Sequence, residues 1–170
     1  KKIEVLDSES ASAGQLEQAL YIRDLCEQGL EFDEVVEKLR KFRDGMHTYF
    51  VLESLDTLRK NGRLSGLQAF FATALNIKPV MGADHGVIIK LDQARGINKG
   101  LQRMCDIAMK EAGDTTEKRA VVCHVNNPER GEYVKQELEK RGTFKEIVVT
   151  NAAGVATVYA NDGGIILAIG

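Results

Sequence analysis

The sequence has few of the residues that form disulfide or metal cross-links. It contains no tryptophan, two prolines and three cysteines in 170 residues. The cysteines, Cys26, Cys105 and Cys123, are odd in number and widely spaced, which excludes a disulfide framework or a zinc finger and indicates reduced thiols in a reducing compartment. A chain of this length buries roughly 70% of its unfolded surface, so its core needs no covalent link.

Neither sign of charge dominates, and no apolar run is long. The 23 basic and 25 acidic residues give a net charge of -2, which argues against nucleic acid as a partner because a phosphate backbone is usually met by a basic face. The apolar stretches at residues 163–170 and 87–89 are far shorter than the roughly 20 residues of a membrane helix. We therefore expect a cytoplasmic protein with no integral membrane segment and no nucleic-acid partner.

Sequence motifs for cofactors and metals are also missing. There is no G-x-G-x-x-G, no P-loop, no H-E-x-x-H and no EF-hand loop. The histidines, His47, His85 and His124, are scattered, so no two share a helical turn as paired metal ligands would. Cys123 and His124 are neighbours in a predicted strand, where adjacent side chains point to opposite faces, so they cannot act together as nucleophile and base. We expect no metal, no cofactor and no catalytic residue.

Helical and alternating patterns follow one another along the chain. They predict an α/β fold with a mixed, partly antiparallel sheet and packed helices. An Asp-His-Gly segment at residues 84–86 indicates a hairpin, and Pro79 predicts an edge strand or a strand start. The predicted helices cover residues 14–28, 32–44, 53–60, 67–75, 97–112 and 128–140. The predicted strands cover residues 3–5, 48–52, 77–81, 87–91, 120–125, 144–150 and 155–159, and an apolar segment at 163–169 closes the chain.

The clearest predicted domain boundary follows Asp44 and Gly45. There a strand–helix–helix block, residues 1–45, ends and a larger sheet-and-helix unit, residues 46–170, begins. The chain opens at Lys1 almost directly in a strand-like segment, with no initiator methionine and no signal peptide, so we expect a piece of a longer protein.

Residues 7–14 are the most informative local feature. Hydroxyl side chains lie there between a predicted strand and a helix N-terminus, where free N–H groups and a partial positive charge stabilise a bound carboxylate or phosphate. Ser12 is placed to donate to such an anion, while Ala13 and Gly14 would let it approach the backbone. Two other interpretations stay open: Ser12 as a simple N-cap, and Ser12 as a nucleophile with His124 or His47 as its base.

Two isolated arginines and one polar loop are weaker candidates. Arg63 and Arg95 each lie beside a glycine, and an arginine there either clamps an anion, marks a docking surface for an acidic partner or ends a helix next to a turn. The loop at residues 159–164, which begins with Tyr159, either contributes to a site or forms an ordinary turn.

Several segments, in order along the chain, are similar to motifs of one protein family. Residues 7–14 resemble D-S-x-x-x-S-x-G, and residues 55–64 resemble L-x-x-L-x-x-G-G-R-I. Residues 75–80 resemble L-N-I-K-P followed by a hydrophobic residue, and Gly86 and Arg95 are similar to the glycine and arginine segments that follow. The family is DegV, the bacterial fatty-acid-binding proteins of which some are the lipid-carrying subunit of fatty acid kinase. The similarity covers nearly all 170 residues.

The resemblance implies a function and places some of its residues. In the family, a long-chain fatty acid lies between two domains, and its carboxylate is held by the serine that matches Ser12 and by a threonine of an earlier segment. Arg63 and Arg95 match family arginines near the head group or at the kinase-docking surface, and Tyr159 stands where many members have a histidine. The segment 1–45 then corresponds to the end of a truncated first domain, and 46–170 to the second domain.

The expected function is therefore a non-enzymatic carrier without a cofactor. It would present the fatty acid to a dihydroxyacetone-kinase-like subunit for acyl-phosphate formation, with the tail bound by apolar burial at roughly 0.8 kcal/mol per CH₂. Two alternatives remain: an enzyme that acts on a small anionic substrate through Ser12 or His124, and a purely structural or interaction domain.

Overall fold

A computed structural model describes residues 1–64 and 76–170 of the chain. Its helices are α1 (Ala13–Glu27), α2 (Phe32–Gly45), α3 (Asp56–Lys60), α4 (Ile97–Ala112), α5 (Pro128–Glu139) and α6 (Gly154–Ala160). Its strands are β1 (His47–Val51), β2 (Ile77–Asp84), β3 (Val87–Arg95), β4 (Arg119–His124), β5 (Glu146–Asn151) and β6 (Ile165–Ile169). The helix predicted at 67–75 lies outside the described residues.

The strands form one mixed sheet, which confirms the predicted α/β class. Their order is β3-β2-β1-β6-β4-β5. Among the strands of residues 1–64 and 76–170, β4 and β5 run parallel and are joined through α5, whereas the other neighbours are antiparallel. Pro79 lies near the start of β2, as predicted, and the two pairs that join β2 to β1, Tyr49 with Gly82 and Phe50 with Met81, come after it.

Each face of the sheet is covered by helices. On one face, α4 and α5 pack over a core that includes Val122 and Leu167. On the other face, α1 packs on β4, β6 and β1, and Ala13 joins a second core that includes Cys123 and Ala168. Helix α1 of the segment 1–45 thus shares a core with the sheet of the segment 46–170. The boundary between two domains at residue 45 stays a prediction.

Two predicted strands are wrong. Residues 3–5 have no regular structure, with Ile3 85% and Val5 91% exposed, because an alternating pattern makes a strand only where a neighbouring strand pairs with it. Residues 155–159 belong to α6, where Val155 and Val158 face solvent while Ala160 is buried. The β-branched residues there favour a strand locally, but the packing of α6 against α3 selects a helix.

A buried ion cluster fastens α1 to the sheet. Arg119, at the start of β4 and only 5% exposed, donates to Asp24 of α1 and, at 2.7 Å, to Glu146 of β5. Its Nη1 also lies 3.5 Å from Oε1 of Glu17, a buried residue of α1. Burial raises the pKa of the Glu17 carboxyl to about 8, against the opposing effect of Arg119. The sequence holds one signal of this arrangement, the seven-residue spacing of Glu17 and Asp24, which puts both on one helix face.

Candidate functional site

Ser12 immediately precedes α1 and has an unusual backbone conformation. Its backbone lies at φ 53° and ψ -118°, a region that glycine occupies far more readily than serine. The carbonyl of Ser12 accepts the Leu16 N–H at 3.0 Å, but its side chain does not cap the helix. The Ser12 Oγ is buried and has no hydrogen-bond partner among the described residues. A buried hydroxyl next to a helix N-terminus is thus available to a ligand.

The loop before α1, residues 7–12, is called the serine loop here. Ser10 Oγ lies 3.0 Å from Thr48 Oγ1 of β1, and Gln18 of α1 donates to the Ser8 carbonyl at 2.8 Å. A Cβ on Gly14 would overlap Ser10 Oγ and lie 2.6 Å from Thr48 Oγ1. Gly14 therefore lets the serine loop pack closely on β1, a different role from the ligand approach that the sequence indicates. Ala13 is fully buried in the core beneath.

Charged residues hold the outer side of the serine loop. Glu9 lies 3.4 Å from Arg43 of α2 and 2.7 Å from Nδ1 of His85, at the tip of the β2–β3 hairpin. Arg43 also donates to the Asp7 carbonyl at 3.1 Å. The hydrogen bond that the His85 ring donates to Glu9 raises the pKa of His85 above its usual value. These contacts join elements that are distant along the chain, so no local pattern in the sequence predicts them.

A small cavity of about 90 Å³ opens between the serine loop, the end of α2, β1 and the hairpin tip. Its lining is mostly polar or charged: Ser8, Glu9, Ser10, Arg43, Asp44, Met46, His47, Thr48, Ala83, Asp84 and His85. A pocket of this size and polarity does not suit an acyl tail, which needs a long apolar surface. Among the residues that the structure describes, no cluster of histidine, cysteine or carboxylate side chains is arranged to hold a metal ion, and no helix is long and apolar enough to cross a membrane.

Cys123 of β4 lies in the core beneath the start of α1, a position that no pattern in the sequence predicts. It is 3% exposed and belongs to the same apolar cluster as Ala13. Burial raises the pKa of the Cys123 thiol, and the nearby Ser12 hydroxyl opposes part of that rise.

Arg63 and Tyr159 come together at a second point on this side of the sheet. The Arg63 guanidinium lies 5.1 Å from the centre of the Tyr159 ring, a favourable cation–π distance. Arg63 follows α3, where its N–H donates to the Leu58 carbonyl at 3.0 Å, and Tyr159 of α6 packs against the core that contains Ala13. The structure thus associates Tyr159 with an arginine and with the apolar layer beneath Ser12.

Arg95 and His124 stand apart from this arrangement. Arg95 is exposed at the end of the edge strand β3, opposite Ile77, and makes no hydrogen bond or ring contact with another candidate residue in the described part of the chain. His124 is buried on the α5 side of β4, where a Cβ on Gly131 would lie 2.9 Å from its ring. Burial lowers the pKa of His124, and its Nδ1 accepts the Asn127 N–H at 3.3 Å. Ser12 and His124 therefore lie on opposite sides of β4.

Comparison with known proteins places the chain among relatives of one kind. Residues 1–169 match the family described as "uncharacterised protein, DegV family". A DegV domain-containing protein of Streptococcus pneumoniae is 32% identical over 170 residues, which are 98% of this chain and 59% of that protein. The chain therefore spans about three fifths of the length of such relatives.

Solved structures with the same fold contain fatty acids. A DegV family protein from Ruminococcus gnavus with vaccenic acid is 43% identical, with a TM-score of 0.94, and the match covers 99% of this chain and 60% of that one. The fatty acid kinase B3 protein of Streptococcus pneumoniae, loaded with linoleic acid, is 32% identical, with a TM-score of 0.86 over 98% of this chain and 59% of that one.

Proposed function

Since the chain belongs to the DegV family, we propose that it is part of a fatty-acid carrier whose Ser12 hydroxyl donates to the fatty-acid carboxylate. The carrier presents that carboxylate to a separate kinase, which transfers a phosphoryl group to it. The observation that carries the proposal is the buried Ser12 Oγ at the N-terminus of α1, which has no hydrogen-bond partner in the part of the chain that the structure describes. Fatty acids in the related structures support the choice of ligand.

The local chemistry suits a carboxylate. The first N–H groups of a helix lack intrahelical partners, and the helix dipole favours a negative charge at that end. A serine hydroxyl beside them adds a charge-assisted hydrogen bond. A buried polar group without a partner costs about 1–3 kcal/mol, so an anion that satisfies it gains affinity by removing that cost.

The acyl tail needs apolar surface near the head group. Half-buried apolar residues surround the core beneath α1: Leu16, Leu20, Met46, Leu55, Ile88, Val148, Ala152 and Tyr159. Covering such surface with an acyl chain contributes about 0.8 kcal/mol per buried CH₂. Arg63 lies against Tyr159 at the border of this layer, and we assign both residues to the rim of the site or to the surface that meets the kinase.

The role of carrier also agrees with the placement of the histidines. An enzyme that acts through Ser12 would need a base hydrogen-bonded to it, and none of the three histidines, all of which are described, bonds to Ser12. His124 lies across β4, so it cannot serve that role without rebuilding the sheet.

Native mass spectrometry and titration with vaccenic acid test the proposal on the full-length protein. We expect one acyl chain per protein, and we expect Ser12→Ala to weaken binding about 10-fold or more because it removes a hydrogen bond to a charged group. Ser8→Ala is the matched control, since it removes a hydroxyl from the same loop, and it should change affinity by less than about threefold. Absence of bound acid, or equal affinity of Ser12→Ala and the wild type, would contradict the proposal.

A further inference from the structure

The tip of the β2–β3 hairpin meets the serine loop at Glu9. The His85 ring donates from Nδ1 to one Glu9 carboxylate oxygen at 2.7 Å, and the other oxygen lies 3.4 Å from the Arg43 guanidinium of α2. A Cβ on Gly86 would lie 3.7 Å from the Glu9 Cα and carbonyl oxygen, so the tip also packs on the backbone of the loop. Glu9 is thus held from the hairpin and from α2 at once.

Both partners of the Glu9–His85 hydrogen bond have an uncommon backbone conformation. Glu9 lies at φ 50° and His85 at φ 45°, values that residues other than glycine seldom adopt. Such conformations persist where surrounding contacts hold them, and they cluster at sites with a function. Ser12, three residues after Glu9, also has a positive φ. The strained stretch therefore leads from the hairpin contact to the candidate ligand site.

Acidic groups outnumber basic ones around the His85 ring. The charged and titratable residues that share its cavity are Glu9 of the serine loop, Arg43 and Asp44 of α2, His47 of β1 and Asp84 of the hairpin. The His85 side chain is 74% exposed, so the ring exchanges its proton with solvent. The hydrogen bond to Glu9, with the charges of Glu9 and Asp84, raises the pKa of His85 above its usual value of 6.5.

We propose that the β2–β3 hairpin is a pH-sensitive strap: protonated His85 binds Glu9 and positions the serine loop so that Ser12 meets the fatty-acid carboxylate. The effect on binding rests on the proposed function, whereas the hold on the loop does not. Because the folded protein binds the His85 proton more tightly, the contribution of the pair is fully present below about pH 6.5 and is lost as the pH rises through the raised pKa. The ordinary alternative is an exposed ion pair without effect, since many surface pairs contribute nothing measurable.

Matched substitutions at position 85 of the full-length protein separate charge from backbone strain. His85→Lys keeps a cation up to about pH 10, whereas His85→Gln is neutral, and both side chains meet the same constraint of a positive φ. The measurements, at pH 6 and pH 9, are hydrogen exchange of the amides of residues 8–12 without ligand and affinity for vaccenic acid. Each value is divided by that of His85→Gln at the same pH, which cancels the ionisation of the acid.

The strap predicts ratios that change with pH. At pH 6 we expect the wild type to exchange about 2- to 5-fold more slowly than His85→Gln and to bind about 2- to 5-fold more tightly. At pH 9 these differences should vanish in the wild type and persist in His85→Lys. Glu9→Gln, which removes the charge of the acceptor, should abolish the difference between His85 and glutamine at pH 6.

The outcomes separate the strap from the proposed function. Ratios that do not change with pH, or equal behaviour of the wild type and His85→Gln at pH 6, overturn the strap, while the proposed function stands if Ser12→Ala still weakens binding. Exchange ratios that change with pH while the affinity ratios do not overturn the connection between the strap and Ser12. Failure of the wild type to bind vaccenic acid overturns the proposed function, and the exchange of residues 8–12 then decides the strap alone.

Discussion

Ser12 combines two features that each cost stability, a positive φ and a buried hydroxyl that no described residue pairs with. Glycine removes both, while alanine removes only the second, because its Cβ keeps the steric conflict at φ 53°. We therefore expect Ser12→Gly to be more stable than Ser12→Ala by about 1 kcal/mol. Both variants should bind vaccenic acid weakly.

Urea unfolding of the two Ser12 variants checks this expectation. A result in which Ser12→Ala is as stable as Ser12→Gly would mean that the backbone at residue 12 relaxes without cost. The positive φ of Ser12 would then carry no strain energy that a ligand site could use.

The buried Glu17 carboxyl predicts how the free energy of unfolding depends on pH. Burial raises the pKa of its carboxyl from 4.5 to about 8 in the folded protein. Folding therefore favours the protonated form, so this contribution is fully present below pH 4.5 and is lost as the pH rises toward 8. Glu17→Gln, which is neutral at every pH, should gain stability relative to the wild type across that window, by at most about 1.4 kcal/mol per pH unit.

Asp24 belongs to the same ion cluster, but its charged form stabilises the folded protein whereas that of Glu17 destabilises it. The hydrogen bond from Arg119 holds the pKa of Asp24 below its usual value, so its charged form stabilises the fold at neutral pH. Asp24→Asn should therefore destabilise the protein at pH 7. Urea unfolding of both variants at pH 5, 6, 7 and 8 is the measurement, and a Glu17→Gln difference that stays flat with pH would contradict the buried-carboxyl interpretation.

Among the elements, those with a strong local pattern were predictable. Helix α4 matches its predicted range of 97–112, and α2 and α5 end within one residue of theirs, because caps and apolar periodicity are local properties. Residues 3–5 and α6 were not predictable, since their state depends on a pairing strand in one case and on packing against α3 in the other.

The candidate site also combines residues that a local pattern predicts with residues that come from distant elements. Ser12 could be proposed from the sequence because a helix N-terminus and a hydroxyl are adjacent there. Thr48, Gln18 and Cys123 were missed because they reach the serine loop from β1, from the second turn of α1 and from β4. No spacing in the sequence encodes that meeting of three elements.

The close contact between α1 and β1 depends on Gly14, which gives a prediction at this level. Gly14→Ala places a methyl group against Ser10 Oγ and Thr48 Oγ1, so it should displace the serine loop and destabilise the protein by about 1–3 kcal/mol. Gly45→Ala, at the end of α2, meets open space and should be neutral or stabilising by up to about 1 kcal/mol. Thermal unfolding of both variants, with amide spectra of residues 8–12, distinguishes them, and equal behaviour of the two would mean that the loop packs more loosely than the structure shows.

At the scale of the whole molecule, the central strands pack against helices on both faces of the sheet. Every residue of β4 and β6 is buried, and these strands contact α1 on one face and the core of α4 and α5 on the other. Arg119 adds a polar connection between α1, β4 and β5. This arrangement favours one cooperative unit over two independent segments that meet at residue 45.

Leu101 offers the sharpest test of that cooperativity because it lies on α4, on the face of the sheet opposite α1. It is fully buried, so Leu101→Ala should lower the free energy of unfolding by about 2–5 kcal/mol. If the molecule opens as one unit, Leu101→Ala will lower the opening free energy of the α1 amides as much as that of the β4 and β6 amides. Helix α1 lies on the other face of the sheet, so a direct effect of the substituted side chain would not explain this result. If residues 1–45 form a separate domain, α1 exchange will be unchanged by Leu101→Ala, and the predicted boundary at residue 45 will stand against the cooperative interpretation.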